Sequence, residues 1–148
     1  TQSCDTLPNV NEMSWYCMYG DPCWDQDELW TTMGHLYQGG IWLKKKANIS
    51  GYNTNTAVDG RDWRTNGSGY CSEPVSYTLP DAADASNYFY LPALGIYSYG
   101  QLNMIGTGGH YWSSSKYGVG AYYMSFTTSV VNIYNGGLYN GQRVVAFK

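Results

Sequence analysis

The chain of 148 residues is long enough for one domain with its own hydrophobic core, and a net charge of −3 with only 13% charged residues supplies no clustered cationic surface for nucleic acid. Aromatic residues reach 17%, with 16 Tyr and 6 Trp, so Tyr, Ser, Thr, Asn and Gly must cover much of the surface. No window approaches the ~20 consecutive apolar residues that span a bilayer, so membrane insertion is not expected either.

In chain order, Asn9 is a good N-cap with Glu12 three residues on, the spacing of a capping box. Val10, Met13 and Cys17 then share one helical face, and Gly20 and Pro22 stop the helix. The same logic predicts a second helix. Asp25 caps it, Glu28 follows, Leu29, Met33 and Leu36 form its buried stripe, and Gly39-Gly40 ends it. Ile41-Trp42-Leu43 reads as a strand entering the core, with Lys44-Lys45-Lys46 as its charged end. Residues 47–87 read mostly as loop, punctuated by Trp63 and Tyr70 and carrying two sequons, Asn48-Ile49-Ser50 and Asn66-Gly67-Ser68. The four cysteines, Cys4, Cys17, Cys23 and Cys71, contain no CxxC pair and allow three disulfide pairings, among which the sequence does not choose.

The second half reads as strands and turns. Tyr88-Phe89-Tyr90-Leu91 is a strand closed by Pro92, and Tyr111-Trp112-Ser113-Ser114-Ser115 is another, with Trp112 expected in the core. From Ala121 to Thr127 the alternation is clear: Tyr122, Met124 and Phe126 point inward, and Tyr123, Ser125 and Thr127 outward. Val131 and Ile133 continue the buried face and leave Asn132 and Tyr134 outward. Gly136-Gly137 is expected to turn the chain, and Arg143 to Phe147 to form a last strand. Helices followed by a glycine-rich antiparallel sheet make an α+β domain spanning residues 1–148, expected to be the C-terminal part of a longer protein.

A gradient runs through this domain. All eleven acidic residues lie before Ala85, and ten of the sixteen tyrosines lie after it. The outward set Tyr123, Ser125, Thr127, Asn132 and Tyr134 gains Lys116, Tyr117, Asn135, Leu138 and Tyr139 from neighbouring loops, with His110 at the border. Such a vocabulary suits recognition: Tyr gives large amphipathic contact at low entropic cost, while Ser, Asn and Gly adapt their hydrogen bonding.

The order Leu91-Pro92-Ala93-Leu94-Gly95, Gly100-Gln101-Leu102, Tyr111-Trp112-Ser113-Ser114-Ser115, Ala121-Tyr122-Tyr123-Met124-Ser125-Phe126, Val131-Asn132-Ile133 and Asn140-Gly141-Gln142-Arg143-Val144 resembles the C-type-lectin-like domains of surface and phage proteins from gut anaerobes. Leu7-Pro8-Asn9-Val10-Asn11-Glu12-Met13 and Cys23-Trp24-Asp25 also fit. The chain is most similar in kind to the variable proteins of diversity-generating retroelements. That resemblance implies a C-type-lectin-like fold of two short helices, then a twisted antiparallel sheet with long loops. It also implies a receptor-binding or adhesin function. The partner would be a protein or glycan on a target cell surface, met outside the cell, at a cell surface or on a virion, with a homo-oligomer built through a preceding N-terminal region. Leu138 stands where the family often has Arg, and Val144-Val145-Ala146-Phe147 departs from its usual ending.

Other chemistry is poorly supplied. Calcium-dependent sugar binding needs hard oxygen ligands, but Glu73-Pro74-Val75 keeps only part of the relevant loop motif and Val131-Asn132-Ile133 lacks the acid. Asp21, Asp25, Asp27 and Glu28 cluster, yet helix capping accounts for two of them. The formylglycine-generating oxidases of the same broad fold need a late cysteine pair, and no cysteine follows Cys71. Neither His35 nor His110 has the partners for nucleophilic catalysis, so no enzyme activity, cofactor or metal is expected. The alternative is a structural subunit or tip domain of a pilus or phage fibre.

Overall fold

The computed structural model describes residues 6–65, 70–137 and 141–148. The one α-helix among the described residues, α1 (Val10–Tyr19), begins as the sequence predicts. The Asn9 side chain accepts the Glu12 N–H at 2.9 Å, and Glu12 Oε1 accepts the Asn9 N–H at 3.0 Å. This reciprocal cap stabilises the helix by about 1 kcal/mol. The Gly20 N–H closes the last turn on the Tyr16 carbonyl, and Asp21 then reverses the chain at φ 48°.

The second helix is not formed. Its residues build a β-hairpin from β1 (Cys23–Thr32) and β2 (His35–Lys44), closed by the two-residue turn Met33-Gly34 with φ of 50° and 77°. Two positive φ angles define the tight turn that matches strand twist. The expected stripe is turned to solvent: Leu29, Met33 and Leu36 are 58%, 69% and 65% exposed. Asp25 does bind the N–H groups of Asp27 and Glu28, as a cap would, but it does so inside a bulge between Asp25 and Leu29. The second half of β2 also pairs with β4 (Tyr88–Pro92), so that Ile41 lies opposite Leu91 and Leu43 opposite Phe89. These four are buried with period two, as the strand expected at Ile41-Trp42-Leu43 requires.

A second sheet has the order β3-β9-β8-β7-β5-β6, from β3 (Cys71–Pro74), β5 (Leu94–Ser98), β6 (Gln101–Ile105), β7 (Gly108–Tyr117), β8 (Gly120–Thr127) and β9 (Val130–Gly137). All its pairings are antiparallel except a parallel contact of β5 with β7 at Gly95 and Gly109. Together α1 and the two sheets make an α+β domain that is mostly sheet. Two expected chain features differ. Gly136-Gly137 does not turn the chain, because β9 runs through it. Arg143 to Phe147 is not a strand; only Gly141 and Arg143 make isolated bridges, to Tyr97 and Tyr111.

The core lies between the sheets and α1. Val10, Met13, Tyr16 and Cys17 of the helix join Tyr111, Tyr122, Met124, Phe126, Val131 and Ile133 of the large sheet. Trp24, Ile41, Leu43 and Leu91 close it from the small sheet. Tyr16, Phe89 and Phe147 meet edge to face at its centre, with Tyr16 5.6 Å from Phe89 and 5.2 Å from Phe147. The long middle segment is held down by buried Asn11, whose amide reaches Thr54 O and Asp62 Oδ1 and accepts the Trp63 N–H. Cys17, Cys23 and Cys71 are buried free thiols, and Cys4 and the Asn66 sequon lie outside the described residues. No helix among the described residues is long and apolar enough to cross a membrane.

Candidate ligand-binding face

The strands β7, β8, β9 and β3 lie side by side, so their cross-strand partners form rows. One row runs Trp112, Tyr123, Tyr134, with the first two opposite each other and the last two likewise. Tyr70, just before β3, extends it: ring centroids are 5.7 Å apart for Trp112 and Tyr123, 6.0 Å for Tyr123 and Tyr134, and 6.4 Å for Tyr134 and Tyr70. The neighbouring row runs His110, Ser125, Asn132, Ser72. Alternation places both rows on the side opposite the core residues Tyr111, Tyr122, Met124 and Ile133.

The result is an aromatic ladder beside a polar trough. Tyr70 and Tyr134 stand out, 66% and 40% exposed, while Trp112, Tyr123 and His110 are half-buried. Ser125 and Asn132 share the face but are sunk between their neighbours, 7% and 9% exposed, rather than projecting as alternation alone suggested. Gly136 leaves room for the Tyr123 ring, since a Cβ there would come 3.2 Å from it. Burial, and then Tyr134 beside it, raises the Tyr123 pKa, so the phenol stays a neutral donor. Burial lowers that of His110, whose two ring nitrogens are buried without a hydrogen-bond partner.

The remaining expected residues divide. Thr127 and Lys116 fall on the ladder side, at opposite ends of β8 and β7. Tyr117 does not: it packs on Tyr122 at 5.1 Å, across the sheet from the ladder. Asn135 pairs with Tyr122 and lies on that same far side, because β9 continues as a strand where a turn was expected. Leu138 and Tyr139 lie outside the described residues.

Trp112 is a correction. Tyr111, not Trp112, is the core residue: it is fully buried, stacks on Phe126 at 6.1 Å and donates its hydroxyl to Pro92 O at 2.6 Å. Tyr117 was expected in a loop beside the face, but β7 runs through it and sets it opposite Gly120. Tyr70 and Ser72 were also missed, since only the pairing of β3 with β9 brings them to the face. Ser113, Ser114 and Ser115 each bond differently. The Ser113 hydroxyl donates to Tyr122 O, the Ser114 N–H to Pro8 O, and Ser115 Oγ accepts the Val10 N–H.

Such a surface can make stacking and hydroxyl contacts with a flat ligand. Among the described residues no group of three or more His, Cys, Asp or Glu side chains is placed to hold a metal ion. No family model matches the chain, and neither curated proteins nor solved structures give a match.

Proposed function

We propose that this domain is a ligand-binding module, a receptor-binding protein or adhesin of C-type-lectin-like fold similar to the variable proteins of diversity-generating retroelements. It acts outside the cell, on a cell or virion surface, and its ligand is a protein or glycan of a target cell. The observation that supports this is the ladder of Trp112, Tyr123 and Tyr134 across three paired strands, extended by Tyr70 just before β3. Four aromatic rings held on a sheet face that the core does not use are costly to leave in water and well suited to a partner. Strand pairing fixes them more firmly than a loop would, which lowers the entropy lost on binding.

The double variant Tyr123→Ala, Tyr134→Ala tests this. Its thermal unfolding should stay close to that of the parent chain, and its binding to target cells, or to a glycan or cell-surface protein array, should be lost. Retained binding would remove the ladder from the recognition surface. Retained binding together with a dispersed oligomer would favour a pilus or fibre subunit instead.

A further inference from the structure

Two of the buried thiols meet where α1 packs on β3. Cys17 lies on the inner face of α1, and Cys71 opens β3, 54 positions further along the chain. They belong to the same core cluster and are 0% and 3% exposed. The Cys17 thiol points at Val131 O, 3.6 Å away on the strand that pairs with β3. The Cys71 thiol points at Ser14 O, 4.0 Å away on α1 and one turn before Cys17. The Cys71 thiol beside it, and then burial, push the Cys17 thiol above its ordinary range. Cys23 lies elsewhere, its thiol 3.9 Å from Trp42 O in the small sheet.

As free thiols the two contribute only the packing of small apolar groups. A covalent link has more to offer at this place. β3 is a four-residue edge strand, joined to the large sheet through β9 alone. A link between Cys17 and Cys71 would close the whole chain from 17 to 71 into one loop. The entropy removed from the unfolded chain grows with the length of such a loop.

We propose that Cys17 and Cys71 form a disulfide that staples α1 to β3, made during folding by exchange with a small external disulfide. The Cys71 thiolate attacks one sulfur of that molecule and expels a small thiolate, leaving a mixed disulfide on Cys71. The Cys17 thiolate then attacks the Cys71 sulfur and expels the second. Two protein thiols are oxidised, one external disulfide is reduced to two thiols, and the two protein protons end on the departing sulfurs. Both steps precede the docking of α1, because in the folded core the two side chains are sealed from an external oxidant. The link also holds the Tyr70 end of the ladder, next to Cys71, but it does not rest on the ladder's role in recognition.

Refolding the full chain from denaturant with reduced and oxidised glutathione tests this, the linkage being read by mass spectrometry of a non-reduced digest. The peptides that carry Cys17 and Cys71 should be joined. The oxidised chain should melt about 10 °C above the same chain refolded with a reductant, the gain expected for a loop of this length in a domain of this size. Cys17→Ala and Cys71→Ala should each abolish that gain, and Cys23→Ala should keep it. If an alanine variant does not fold, the oxidised and reduced forms of the parent chain still give the comparison. Oxidised glutathione added to the chain already folded with a reductant should leave Cys17 and Cys71 as thiols, and linkage under those conditions overturns the order of events. A link from either cysteine to Cys4 or Cys23, free thiols at both after oxidative refolding, or an unchanged melting temperature overturns the proposal.

Discussion

Ser115 and Val10, 105 positions apart in sequence, are joined by a hydrogen bond in which Ser115 Oγ accepts the Val10 N–H at 2.9 Å. Val10 is the first residue of α1, so this hydroxyl satisfies one of the donors that every helix start leaves unpaired. The large sheet thereby anchors the first residue of the helix.

Ser115→Ala should therefore cost about 1–3 kcal/mol, the penalty for a buried N–H left without its acceptor. Denaturant unfolding measures it. Ser114→Ala makes a suitable control, because Ser114 is exposed and binds Pro8 through its backbone.

Gly109 sits where a side chain has no room. A Cβ there would come 2.4 Å from the Phe126 ring and 3.0 Å from Tyr111, both held in the core. Gly109→Ala should lower stability by about 1–3 kcal/mol through overpacking, read as a fall in melting temperature.

The β1–β2 turn offers a gain. Met33 takes φ 50° next to Gly34 at φ 77°, a conformation that a Met side chain tolerates poorly and Asn tolerates well. Met33→Asn should raise stability by about 0.5–1 kcal/mol, visible in thermal unfolding, and leave ligand binding at the ladder unchanged.

His110 makes stability depend on pH. Burial lowers its pKa below the ordinary value of about 6.5, so the unfolded chain takes up a proton that the folded chain resists. Stability should fall as pH drops through about 6.5, and this residue should add no slope above that. His110→Asn should flatten the profile of unfolding free energy between about pH 5 and 7. An unchanged slope would show that His110 titrates alike in both states.

Local signals read correctly wherever the deciding contacts were local. The capping box at Asn9 and Glu12 lies within four residues and specifies the start of α1. The alternation from Ala121 to Thr127 has one buried side, so Tyr122, Met124 and Phe126 turned inward as read. Between Asp25 and Leu36 local signals misled, because Asp25 caps a bulge as readily as a helix.

From sequence alone came the α+β class, the first helix, the inward set of β8 and β9, and an acid-free half rich in tyrosine. Tertiary structure alone decided that residues 25–38 join a hairpin, because cross-strand pairing sets Trp30 opposite Tyr37 and Thr31 opposite Leu36 and leaves the expected stripe of Leu29, Met33 and Leu36 in solvent. It also decided that Tyr111 enters the core and Trp112 joins Tyr123. Alternation fixes that two neighbours point opposite ways, but only packing against Phe126 and Pro92 fixes which one goes in.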